Sequence, residues 1–189
     1  MKKNNIPIVC DLDGTLIKSD LFIESLLIYI KLNFYHIFIA IYKLITQRIA
    51  FKNYITHSFK PNAKNIPFNT ELISWLKKQK QEGREIYLVT GSTKSSVTLI
   101  KSKLTIFSNI YNSSQNQNLV GSEKAKFLIE KFGRENFDYI GNSITDFKVW
   151  KYAREKILVN NIYLQLIFRN FFNKIFKKDK GYLKNLSFF

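Results

Sequence analysis

Apolar residues along the chain fall into two rhythms. Short, mostly apolar runs end abruptly at a polar or glycine residue: 6–10 before Asp11, 85–89 before Thr90, 109–111 before a polar loop at 112–118, 137–140 before Gly141, and 157–159. Runs of this length, bounded by turn residues, predict strands buried on both faces, as in a parallel sheet. Between them lie stretches with helical spacing. Asp20 offers an N-cap to a long helix running to about Gln47, continued less regularly over 51–59. Pro61 and Pro67 bracket a loop, and Asn69 or Thr70 caps a helix to Glu82 that Gly83 stops. Helices follow over 94–104, 123–132 and 145–154. Strands alternating with helices predict an α/β fold, a Rossmann-like three-layer parallel sheet whose site lies beyond the carboxyl ends of the strands.

Composition narrows this picture. A chain of 189 residues that is 46% hydrophobic can build a core and is not disordered. Its 30 Lys and Arg against 14 Asp and Glu give a formal charge of +16, which attracts anions. The same excess also fits a genome-wide bias toward Lys, Asn, Ile and Phe, and both readings stay open. No nucleic-acid motif accompanies the charge, so nucleic acid is the weaker partner. Cys10 is the single cysteine, which excludes an intrachain disulfide and suits a reducing cytoplasm. The apolar run before Asp11 is too short for a signal-peptide core. Residues 21–45 are the most apolar stretch, but Glu24, Lys31, His36 and Lys43 interrupt it. Its longest uncharged run, Leu32 to Tyr42, falls short of the ~18 apolar residues of a spanning helix, and the stretch reads as a helical element, buried or lying on a membrane surface.

Polar residues gather where the strands end: Asp11 and Asp13, Thr90, Lys124 ahead of the fourth strand, then Asn142 and Asp146. Paired acids at a strand end call for a metal or a cationic partner. Four motifs carry these residues in order: Asp11-Leu12-Asp13-Gly14-Thr15, Tyr87-Leu88-Val89-Thr90, Gly121-Ser122-Glu123-Lys124-Ala125 and Gly141-Asn142-Ser143-Ile144-Thr145-Asp146. In this set and order the chain resembles the haloacid dehalogenase-like (HAD) superfamily of phosphohydrolases. The resemblance implies that Asp11 is the nucleophile, forming an aspartyl phosphate, and that Asp13 is the general acid and base. It implies Lys124 as the charge-balancing catalytic cation, and Thr90 with the Gly91 and Ser92 amides as the phosphate-binding group. Ser92 competes with Thr90 for that role, Thr90 being favoured because it directly ends the strand. The implied cofactor is Mg²⁺, held by Asp11, Asp13, Asn142 and Asp146. Asn142 departs from the family's usual Asp, which predicts weaker metal affinity. His36 and His57 have no metal-ligand partners in view.

Some 76 residues separate Asp13 from Thr90, more than adjacent parallel strands need. The expected division is an α/β core over 1–18 and 60–160, a helical cap over 19–59, and a basic amphipathic tail over 161–189. The cap's aromatic residues (Phe22, Tyr29, Phe34, Tyr35, Phe38, Tyr42) suit a lipid-linked phosphate or a membrane surface. They also suit a helical hairpin packed on itself. A narrower resemblance, carried by the segments 20–26, 137–141, 149–150 and 181–186, is to the phosphatase-like domain fused ahead of bacterial UbiA-family prenyltransferases. It implies that 181–186 corresponds to the entry of a membrane helix. The reading is a Mg²⁺-dependent phosphatase of small or lipid-linked phosphomonoesters, cytoplasmic or peripheral on the inner face of an anionic membrane. The alternatives are a catalytically weak remnant serving as a membrane-associated binding module, or a phosphotransferase to an acceptor other than water.

Overall fold

The computed structural model describes residues 6–101, 105–114, 117–159 and 183–185. Its strands are β1 (Ile8–Cys10), β2 (Ile86–Thr90), β3 (Asn109–Asn112), β4 (Asp138–Gly141), β5 (Lys156–Leu158) and β6 (Leu183–Asn185). They form one sheet in the order β3-β2-β1-β4-β5-β6, every neighbouring pair parallel. The chain winds outward from β1 through β2 to β3, then returns to the other side of β1 for β4. That reversal opens a crevice at the carboxyl end of β1.

Alternation along each strand builds three layers. Ile8, Cys10, Leu88, Ile140 and Ile157 share one core with Leu72 and Leu76 of α4 (Thr70–Gln81) and Ile100 of α5 (Lys94–Lys101). Val9, Val89, Tyr139 and Leu158 share the other with Leu128 of α6 (Gly121–Phe132) and Val149 and Trp150 of α7 (Phe147–Trp150). At the opposite end of the sheet from the crevice, the fully buried Asp138 starts β4. It accepts from Arg84, from Arg154 Nη2 at 2.6 Å and from the Glu155 backbone N–H at 3.1 Å.

The insertion folds into α1 (Leu21–Leu32), α2 (Ile37–Thr46) and α3 (Arg48–Ser58). Asp20 caps α1 as expected, its Oδ1 accepting from the Phe22 and Ile23 amides at 2.8 and 3.1 Å. The single helix expected to run from Asp20 to Gln47 is instead broken at Asn33. That residue leaves helical geometry (φ −135°, ψ 52°), and its side chain donates to the Tyr29 carbonyl at 3.1 Å. An Asn amide that takes a helix carbonyl offers the backbone an alternative to the next helical bond. A 3-10 turn at Phe34–His36 follows, and the two helices meet at 119°. Tyr29, Ala40, Phe51 and Ile55 form the insertion's own core, with Phe22 against it. Phe34, Tyr35, Phe38 and Tyr42 lie outside it and are exposed, so self-packing accounts for only part of the aromatic set.

The helix expected over 145–154 is also shorter. A 3-10 turn at Ile144–Asp146 leads into the single turn of α7. The chain then leaves the helix because the Arg154 amide bonds to the Phe137 carbonyl at 2.8 Å and its guanidinium to Asp138. Most of the tail over 161–189 lies outside the described residues. Residues 183–185 form an edge strand on β5, where the resemblance implied the entry of a helix.

Candidate active site

β1 delivers Asp11 to the crevice, its amide bonded to the Ile140 carbonyl of β4 at 2.9 Å. The next turn folds back on itself, with Leu16 N–H donating to the Leu12 carbonyl at 2.9 Å and Gly14 N–H to the Ser19 carbonyl at 3.0 Å. Gly14 sits at φ +72°, and a Cβ there would lie 2.0 Å from Asn142 Nδ2. Only glycine lets the first and fourth motifs approach this closely. Asp11, Asp13, Thr90, Gly91, Lys124 and Asn142 then line one cavity of about 470 Å³.

Lys124, on the first turn of α6, is buried and donates to Asp11 Oδ1 at 2.8 Å and to the Tyr139 hydroxyl at 3.0 Å. Burial pulls its ammonium down, yet Asp11 and Asp146 together hold it above its ordinary value. Tyr139 passes the chain on, donating to Asp146 Oδ1 at 2.7 Å. Asp146 Oδ2 accepts from the Asn142 and Ser143 amides at 3.1 and 3.0 Å and from Ser143 Oγ at 2.7 Å. A Cβ on Gly141 would come within 2.6 Å of this carboxylate. Asp146 thus shapes the loop that presents Asn142, and most of its acceptor capacity is used in doing so. Thr15 Oγ1 donates to Asn142 Oδ1 at 3.2 Å.

Asp13 is tied on both sides. Its Oδ1 accepts from the Leu21 amide at 3.0 Å, and its Oδ2 from Ser92 Oγ. Burial first, then repulsion from Asp20, pushes its carboxyl up to about 6, the Ser92 hydrogen bond opposing them. Burial also raises Asp11, against the pull of Lys124. The Ser92 hydroxyl donates to Asp13. Thr90 Oγ1 accepts from the Ser92 amide at 3.0 Å, and Thr90 lines the cavity.

Among the described residues, no group of three or more His, Cys, Asp or Glu is placed to hold a metal. The cavity is lined by residues that carry hard oxygen donors, among them Asp11, Asp13 and Asn142. That set fits Mg²⁺, which takes one or two carboxylates and keeps several waters. His36 and His57 are exposed on the insertion.

Three residues escaped the sequence reading. Lys52 of α3 reaches into the cavity and donates to the Gly91 carbonyl at 2.9 Å. Burial lowers its ammonium, with Asp13 and Asp20 opposing. Its signal was weak: a lysine four residues before Thr56, which itself bonds Thr93 at 2.7 Å. For Tyr139 the one available signal was a hydroxyl on an apolar strand, which needs a buried partner. Ser19 Oγ is buried on the cavity wall with no hydrogen-bond partner among the described residues, and nothing in the sequence distinguished it from a loop serine.

The fold is that of solved HAD-family hydrolases. A HAD-family hydrolase from Salmonella enterica serovar Typhi superposes with a TM-score of 0.60 at 15% identity, over 87% of this chain and 65% of that one. A HAD-superfamily hydrolase from Ehrlichia chaffeensis gives 0.56 at 17%, over 90% and 97%. A substrate-bound phosphoserine phosphatase gives 0.58 at 16%, over 86% and 90%. By sequence, the chain is 33% identical over 158 residues to an uncharacterized protein, y4nM, of Sinorhizobium fredii. That match covers 82% of this chain and 30% of y4nM, so the chain spans less than a third of that relative. No family model matches the chain.

Proposed function

We propose that the chain is a Mg²⁺-dependent phosphohydrolase of phosphomonoesters, either small or lipid-linked, working through an aspartyl phosphate. The observation that carries this is Asp11 and Asp13 at the end of the central strand, sharing a cavity with a lysine 2.8 Å from Asp11. Mg²⁺, held by Asp11, the Asp13 backbone carbonyl and Asn142, would offset phosphoryl charge. Asp146 contributes by holding the Asn142 loop.

Asp11 attacks phosphorus, and the bond from phosphorus to the leaving alcohol oxygen breaks. Asp13 gives that oxygen its proton; a carboxyl titrating at about 6 can hold one at neutral pH and release it. Asp13 then takes a proton from water, whose oxygen attacks phosphorus and frees Asp11. Lys124 balances the charge on Asp11 and on the phosphoryl oxygens throughout. The Thr90 hydroxyl and Gly91 amide hold phosphate oxygens.

Hydrolysis of p-nitrophenyl phosphate and a panel including polyprenyl phosphates tests this with and without Mg²⁺. Asp11→Asn is expected to lower Mg²⁺-dependent turnover by about a thousandfold or more. Equal rates for the variant and the parent across the panel would refute the assignment.

Asn142 favours a second reading, a phosphate-binding module with weak turnover, because it removes one negative charge from the metal site. Asn142→Asp separates the two. A large gain in turnover over a near-inactive parent supports the module, and a parent already fast at ordinary Mg²⁺ excludes it.

A further inference from the structure

The insertion carries a surface that the cavity does not use. Of the exposed large hydrophobic side chains among the described residues, all but Val120 and Ile144 lie between Ile23 and Tyr54. They concentrate at the 119° bend, where Leu32 is 69% exposed, Phe34 68%, Tyr35 93% and Phe38 79%. Tyr42 and Ile45 continue the strip along α2. Single exposed apolar residues are ordinary, but a contiguous patch of this kind marks a docking surface.

Charge selects the occupant. Across residues 21–70, Glu24 is the only acid, against Lys31, Lys43, Arg48, Lys52, Lys60 and Lys64. Lys31 and Lys43 flank the bend, and Lys43 and His36 also stand on the wall of a groove of about 300 Å³ beside it. A second copy docked face to face would bring these cations against their own images. An anionic bilayer meets both halves of the surface, taking the apolar tip among its acyl chains and the lysines among its headgroups. Among the described residues no single helix is long and apolar enough to cross a membrane, and the helix pair that passes together is bent too sharply to run straight through. A pair bent in this way suits the interface better than a straight crossing.

We infer that the bend of the insertion, centred on Leu32, Phe34, Tyr35 and Phe38, docks the protein on an anionic lipid bilayer. This surface is independent of the chemistry assigned to Asp11.

The test is co-sedimentation of the full chain with phosphatidylcholine vesicles, with and without phosphatidylglycerol. Binding should need phosphatidylglycerol and weaken with salt. Combined Phe34→Ser, Tyr35→Ser and Phe38→Ser should lower it about tenfold or more, since three interfacial aromatic anchors are lost. Because these side chains are exposed, the variant should keep its circular dichroism spectrum. As a check that removes nothing, Tyr35→Trp should gain emission that brominated lipid quenches beyond the parent's background. Vesicle binding unchanged in the triple variant, or no quenching of Tyr35→Trp, overturns the inference. So does a parent dimer that the triple variant dissociates with no change in lipid binding, which would make the surface a contact between copies.

Discussion

Asp13 shows how one side chain's surroundings decide what it can do. Burial and Asp20 lift its carboxyl from the ordinary 3.8 to about 6. The metal-free folded protein therefore keeps a proton that the unfolded chain releases. Its contribution to stability is complete below the unfolded value and is lost as pH rises through the folded one. Asp13→Asn removes that loss. In EDTA, the stability of the variant relative to the parent should rise between about pH 4 and pH 7 by on the order of 3 kcal/mol. Thermal melts at the two pH values check it, and a constant difference would show that Asp13 titrates normally. Asp11, Asp13, Thr90, Lys124 and Asn142 were readable because motif spacing and strand ends identify them together. Tyr139 and Lys52 were not, because their roles exist only after α6, β4 and α3 are packed.

At the level of elements, sequence reading located the first five strands because each is a short apolar run closed by a turn residue. It lost the ends of helices where tertiary bonds override local pattern. Asn33 breaks the long helix with a side-chain bond, and Arg154 is drawn out of α7 toward Asp138. The same Asp138 joins the start of β4 to Arg84 ahead of β2 and Arg154 ahead of β5. Removing one member of a buried ionic group leaves the others unpaired, which costs more than the group contributes. Asp138→Ala should therefore destabilise the fold by about 3–5 kcal/mol, measurable by urea unfolding. A loss below about 1 kcal/mol would mean that the two guanidiniums find water instead.

At the scale of the whole molecule, side chains of α3 tie the insertion to the loop after β2: Lys52 to the Gly91 carbonyl at 2.9 Å, and Thr56 to Thr93 at 2.7 Å. Asp13 adds a third link through the first amide of α1. The insertion therefore places a cation on the cavity wall while fixing its own position. Lys52→Met keeps the bulk and removes both effects. It should raise KM for a phosphomonoester about tenfold, the value of one charge-assisted contact, with a smaller change in kcat. Initial-rate kinetics decide this, and an unchanged KM would leave Lys52 with only its bond to Gly91.

The Asp146 carboxylate has a further consequence, one of chemical ageing. An Asn followed by Ser is prone to lose ammonia when the next backbone nitrogen attacks its side-chain carbonyl to form a cyclic imide, which water then opens to Asp or, more often, to iso-Asp with a rerouted backbone. The nitrogen needed for that attack is Ser143 N, and Asp146 Oδ2 holds its hydrogen at a heavy-atom distance of 3.0 Å. The neutral donor at 142 therefore lasts as long as Asp146 keeps its grip on the loop.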